Sequence, residues 1–290
     1  MQRDLVTRTS GIDGNLLVVT DCEDGPPQLL ELDTTRPNIA RVYDAWLGGK
    51  DNFAADREEA ERLLQTYPDL RRLAQENRKF LRRAVHWLAT DCGIRQFLDV
   101  GSGLPTATNT HNVAQAASPD SKVAYVDKDP AVVLHAHALL ADGRNVVAVR
   151  GDAAEPAEIF ADPRVTTLIH PGRPCAVIMA AVLHFFPLAD ARRIIAEFAR
   201  LAAPGSYLVL SVGSTGRQMP REYSAGTLHH HSPSDIRTLF TGMEIIDPPG
   251  LVDALYWRPG TRAPAPRESG GHILFAAVAR MSPEGGAESD

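Results

Sequence analysis

No apolar run in this chain is long enough to cross a bilayer, and residues 1–20 lack the basic, apolar and small-residue layout of a signal peptide. Cysteine is scarce. Cys22, Cys92 and Cys175 are odd in number and widely spaced, which excludes a disulfide framework and metal-ligand spacing and points to a reducing cytoplasm. Positive charge is in deficit, with 30 Lys and Arg against 36 Asp and Glu and a net charge of −6, so the composition carries no nucleic-acid footprint. Neither nucleic acid nor membrane is expected as a partner. The paired basic residues Arg71-Arg72, Arg78-Lys79 and Arg82-Arg83 alternate with Glu76 and apolar positions and read as the solvated face of a helix.

What is present is a repeated strand ending. Phe97-Leu98-Asp99-Val100-Gly101-Ser102-Gly103-Leu104-Pro105 reads as an apolar strand that reaches an acid and breaks into a glycine turn. Glycine at two of three positions lets the backbone approach a ligand that a Cβ would push away. Val123-Ala124-Tyr125-Val126-Asp127 and Val146-Val147-Ala148-Val149-Arg150-Gly151-Asp152 repeat the ending, separated by helical segments at 109–117 and 130–140. This β-α-β-α-β alternation builds a parallel sheet, and right-handed crossovers put the three acidic tips along one edge. There Asp127 can accept hydrogen bonds from both hydroxyls of a ribose, and Asp152 from an exocyclic amine.

A dinucleotide fingerprint needs a third glycine, and its position holds Thr106 behind Pro105. An acid before the turn, Asp99, also suits a cationic ligand better than a diphosphate. S-adenosylmethionine carries an ammonium and a sulfonium and no phosphate. The pattern resembles the seven-stranded S-adenosylmethionine-dependent methyltransferases. The expected fold is therefore α/β, a Rossmann-like class I methyltransferase sheet with an N-terminal helical extension or lid. A fourth strand with its loop is expected over 174–186, a helix over 188–202, a fifth strand over 207–211 and an antiparallel edge from 251–257 and 272–280. Ser232-Pro233-Ser234-Asp235 reads as a capped helix start.

The N-terminal third holds Arg41-Val42-Tyr43-Asp44-Ala45-Trp46-Leu47-Gly48-Gly49-Lys50-Asp51-Asn52-Phe53, an amphipathic helix followed by a polar glycine loop. A connector needs fewer turn residues than this. The segment resembles the N-terminal block of an actinobacterial methyltransferase family long catalogued as a domain of unknown function. The resemblance continues through Glu76-Asn77-Arg78, the Asp99 to Thr106 turn, Tyr125-Val126-Asp127, Ala181-Val182-Leu183-His184-Phe185 and Leu255-Tyr256-Trp257-Arg258-Pro259, covering most of 36–280. It implies S-adenosylmethionine binding and the methyltransferase fold, and no particular substrate. The stretch 217–231, with Tyr223 and His229-His230-His231, departs from the pattern. Three consecutive histidines diverge, so no metal is expected.

The expected division is a weakly structured segment at 1–35, a helical lid at 36–92, the methyltransferase domain at 93–280 and a mobile tail at 281–290. The expected cofactor contacts are Asp99, Gly101, Gly103, Asp127, Lys128, Asp152, Ala153 and Ala180 at the strand ends, with Tyr43, Lys50, Asn52 and Arg78 from the lid side. Lys50 or Arg78 would meet the methionyl carboxylate, and the Tyr43 ring the sulfonium. His184, just past the fourth strand, and Tyr43 are the candidate catalytic residues. Methyl transfer from a sulfonium needs chiefly alignment in a dry site, and a base only for a protonated acceptor. The expected function is methylation of a small-molecule acceptor. A cofactor-binding regulator or scaffold without turnover and an NAD(P)-dependent oxidoreductase are the alternatives.

Overall fold

The computed structural model of the protein describes residues 15–20, 28–214, 222–223, 226–258 and 273–281. Within 1–35, expected to be weakly structured, β1 (Asn15–Thr20) and β2 (Gln28–Asp33) pair antiparallel along their whole length, and 1–14 and 21–27 lie outside the described residues. Three helices follow: α1 (Ile39–Leu47), α2 (Ala54–Thr66) and α3 (Leu70–Thr90). Asn38 caps α1 by accepting from the amides of Ala40 and Arg41, and Gly48 closes it.

The alternation then runs β3 (Gln96–Val100), α4 (Thr110–Ala117), β4 (Lys122–Asp127), α5 (Pro130–Leu139), β5 (Val146–Arg150), α6 (Pro156–Ala161), α7 (Pro163–Leu168), β6 (Ala176–Ala180), α8 (Leu188–Leu201) and β7 (Tyr207–Ser214). A short ribbon, β8 (Glu222–Tyr223) and β9 (Gly226–Thr227), precedes α9 (Pro233–Thr238), β10 (Met243–Ile245), β11 (Val252–Asp253) and β12 (Ile273–Met281). The central sheet has the order β10-β12-β7-β6-β3-β4-β5, parallel from β7 to β5 and antiparallel at β12 and β10. It is buried on both faces, so neighbouring residues of one strand serve different cores: Phe97 packs with the α3 to α5 side and Leu98 with the α7 and α8 side.

Two expectations at the edge need correction. Segment 251–257 is not a full strand: only Val252 and Asp253 pair, and Ala254–Tyr256 form a 3-10 turn. Asp253 accepts from the Leu255 amide, and the chain turns away to seat Trp257 against Phe80 at a ring separation of 5.4 Å. The seventh strand is β10, whose three residues are too short for periodicity to reveal. Met281, assigned to the tail, closes β12 and is buried. Residues 282–290, and 217–221 and 224–225 of the idiosyncratic loop, lie outside the described residues.

The basic helix face also divides. Arg71, Arg72 and Arg82 are exposed as expected. Arg83 instead donates to the carbonyls of Trp257 and Ala254, and Arg78 turns toward the glycine turn, donating to the Thr106 hydroxyl at 3.1 Å.

Candidate active site

A cavity of about 600 Å³ opens over the carboxyl ends of the parallel strands and is roofed by α1 to α3. Its floor begins at the glycine turn, where Gly101 and Gly103 adopt φ of +68° and +65°. The two glycines do different work. A Cβ on Gly101 would fall 2.5 Å from Val182 Cγ2, whereas one on Gly103 would meet no protein atom within 4 Å and would stand in open space on the cavity wall.

The Gly103 amide donates to Asp127 Oδ2 at 2.9 Å, and the Asp129 amide to Oδ1 at 3.0 Å. Each carboxylate oxygen keeps a lone pair for a ligand while the two amides fix its plane. Burial pushes the Asp127 carboxyl above the usual carboxylate range, and the two amides oppose that shift. Lys128, Asp152, Ala153 and Ala180 line the same cavity from the ends of β4, β5 and β6. Asp152 also accepts from the Ala154 amide at 2.9 Å.

Ala181, directly after β6, is a non-glycine residue at φ +61° on the cavity wall. Such a conformation persists where neighbours over-determine it. Here the Ala181 amide is held by the carbonyl and hydroxyl of the fully buried Ser211, at 3.0 and 2.9 Å. The Ser211 hydroxyl donates to Asn77 Oδ1 (2.6 Å), Asn77 Nδ2 donates to the Tyr43 hydroxyl (3.0 Å), and that hydroxyl donates to the Ala74 carbonyl (3.1 Å). One chain of hydrogen bonds thus joins the strained turn to the roof. Tyr43 lines the cavity, but its oxygen is engaged on α3 and burial raises its pKa, so it offers an aromatic face and not a base.

Three expected contacts stand away from the cavity wall. Asp99 lies beneath the turn, buried, accepting from the Thr110 hydroxyl at 2.6 Å, and burial raises its pKa. The residue alternation of β3 sends its side chain toward α4, on the same face as Phe97. Lys50 is exposed on the loop, and Asn52 donates to Asp44 Oδ2 at 2.8 Å and to the Gly49 carbonyl. The glycine loop wraps the Asp44 carboxylate, which also accepts from the Asp51 amide, and a Cβ on Gly49 would collide with it. Its unusual composition therefore serves to close the roof around Asp44, itself on the cavity wall.

Arg78 and His184 both reach the wall carrying unsatisfied atoms: Arg78 Nε and His184 Nδ1 are buried without a hydrogen-bond partner. The His184 ring lies 4.4 Å from that of Phe185, and burial, aided by the neighbouring His231, lowers its pKa to about 4, so it is neutral at neutral pH. Sequence reasoning missed Asn38 and Asp129 as wall residues. Asn38 Nδ2 donates to Asp129 Oδ2 at 2.6 Å, joining roof to floor. Each residue also caps a helix, and that local signal concealed the long-range bond.

Among the described residues no group of three His, Cys, Asp or Glu could hold a metal, and no helix is long and apolar enough to cross a membrane. The residues present suit S-adenosylmethionine: open space at Gly103, a two-oxygen acceptor at Asp127 and an unsatisfied guanidinium nitrogen at Arg78.

Comparison with known proteins agrees. The chain superposes on a candidate methyltransferase from Thermobifida fusca YX with a TM-score of 0.79 and 38% identity, covering 86% of this chain and 97% of that one. A DUF574 family protein from Streptomyces avermitilis MA-4680 gives a TM-score of 0.80 and 34% identity over 87% of this chain and 99% of its own. No curated protein matches the sequence. The profile of the S-adenosyl methyltransferase family matches residues 27–282, so the chain belongs to that family and is an S-adenosylmethionine-dependent methyltransferase.

Proposed function

We propose that this enzyme methylates a small-molecule acceptor enclosed between the strand ends and the helical roof. The observation that carries the reading is the cavity itself: the Asp127 and Gly103 cradle occupies one end, and the space continues beneath α1 to the ends of β6, β7 and β12. A cavity of this size suits a small molecule. S-adenosylmethionine, when bound, supplies a sulfonium methyl open to displacement by a nucleophile. In this reading Asp127 accepts from the ribose hydroxyls, and Gly101 and Gly103 admit the amino-acid portion. Arg78 meets its carboxylate, and Asp152 and Ala153 face the adenine. Lys128 and Ala180 complete the wall, and the Tyr43 ring faces the sulfonium. Cys92 and Cys175 are free thiols, which supports a reducing cytoplasm.

The protein's own task is to exclude water and hold two ligands in line. Both are served by a roof bonded to the floor through Asn38 and Asp129. Calorimetry with S-adenosylhomocysteine tests the reading. Asp127→Ala removes two hydrogen bonds to a partly buried ribose, costing about 2–3 kcal/mol, or roughly 30- to 150-fold in affinity. A folded Asp127→Ala variant with unchanged affinity overturns it.

A further inference from the structure

The cavity is divided by the strand order. Every charged residue on its described wall lies either at the ends of β4 and β5 (Asp127, Lys128, Asp129, Asp152) or on the roof side (Arg36, Asp44, Arg78). Over β6, β7 and β12, on the other side of β3, the described wall carries no Asp, Glu, Lys or Arg. Its apolar part is Phe185, Phe186, Leu228, Ile273 and Leu274 beside His184, and Ser214, Thr227, His229 and His230 complete it. A charged ligand buried there would find no Asp, Glu, Lys or Arg counter-charge among the described residues, at a cost that apolar contacts do not offset.

His184 differs from the other polar residues of this wall in carrying a buried ring nitrogen that no hydrogen bond satisfies. Neither ring nitrogen hydrogen-bonds to a described residue, Nδ1 is buried unpartnered, and the side chain stands on the wall beside the Phe185 ring. A buried polar group without a partner costs about 1–3 kcal/mol, so the arrangement favours a ligand that supplies the partner. Building on the proposed function, we propose that the methyl acceptor is an uncharged, hydroxyl-bearing aromatic molecule, its ring against Phe185 and Phe186 and its hydroxyl hydrogen-bonded to His184. A hydroxyl both donates and accepts, so it satisfies either tautomer of the neutral imidazole. An aliphatic amine would arrive protonated and a carboxylic acid ionised, and among the described residues this half of the cavity offers no Asp, Glu, Lys or Arg to match either charge.

Binding, not turnover, provides the test. Wild-type protein is first titrated with S-adenosylhomocysteine; failure there overturns the cofactor reading and is thereby distinguished from failure of this inference. The saturated protein is then titrated with naphthol, naphthoate, naphthylmethylamine and methoxynaphthalene. Naphthol should bind at least about tenfold tighter than either charged probe. His184→Leu should weaken naphthol by about tenfold and leave methoxynaphthalene unchanged, with His184→Gln restoring part of the loss. The S-adenosylhomocysteine affinity of each variant reports that it is folded. A charged probe that binds as well as naphthol, naphthol affinity indifferent to His184→Leu, or no naphthol binding at all overturns the inference.

Discussion

Gly101 and Gly103 look alike in sequence, yet only Gly103 has open space where its Cβ would stand. With Val182 Cγ2 2.5 Å from its virtual Cβ, Gly101→Ala strains the protein itself, and its thermal stability should fall before any ligand is added. Gly103→Ala carries only the cost of a left-handed alanine, about 1–2 kcal/mol, while its methyl enters the space above Asp127. Melting and S-adenosylhomocysteine titration of both variants should show Gly101→Ala losing the larger share in stability and Gly103→Ala in affinity. Equal losses in both measurements would remove the distinction. His184 yields a pH prediction of definite sign. Its folded pKa of about 4 lies below the ordinary 6.5, so between those values the folded chain binds fewer protons than the unfolded one. The stability owed to the neutral ring is complete above 6.5 and is lost as pH falls toward about 4. Wild type should therefore lose melting temperature relative to His184→Gln as pH is lowered from about 7 to about 5. Parallel curves would contradict the burial of this ring.

At the scale of elements, the N-terminal block is a small structure organised by two buried carboxylates. Asp56, fully buried, accepts from the Asn38 amide, the Phe53 amide and Arg41 Nε, each at 2.8 Å, while Arg41 also donates to the carbonyls of Asp33 and Arg36. Asp44 gathers the glycine loop in the same way. Arg41, Asp44, Asn52 and Phe53 of the motif are thus explained by how α1 meets α2, while Tyr43, Asp44, Trp46 and Leu47 also line the cavity. That division was hidden in the sequence, because a residue wrapping a buried carboxylate and one binding a ligand are both polar residues in a loop. Removing Asp56 leaves the Arg41 guanidinium buried without its counter-charge, a loss of about 3–5 kcal/mol. Amide exchange in Asp56→Ala should accelerate across α1 and the start of α2 while β3, β4 and β6 stay protected. Unaltered exchange in α1 would show that the ion pair does not hold the roof.

Across the whole molecule, the parallel core was readable because each strand from β3 to β7 is a short apolar run next to a helical pattern, and because chemistry repeats at three strand ends. The far edge was not, since β10 and β11 owe their existence to pairing with β12 and not to any pattern of their own. The floor of the site was equally readable from Asp127 and the glycines. The roof, expected as a helical lid over 36–92, shares its core with the sheet. Val42 of α1 is fully buried in the same core as Leu63, Phe80 and Trp257, with Trp46 packed against it, and Tyr43 and Asn38 are bonded to α3 and to Asp129. A fully buried aliphatic side chain contributes about 1.5–3 kcal/mol, and truncation before Ala54 would also uncover the apolar faces of α2 and α3. Deleting residues 1–53 should therefore lower the denaturation midpoint of the whole domain by several kcal/mol in equivalent stability, together with cofactor affinity. A lid that merely opens and closes would instead leave the midpoint untouched and change affinity alone. Denaturant unfolding of the two chains, followed by tryptophan fluorescence from Trp87 and Trp257 that both retain, decides between an integral roof and a hinged one.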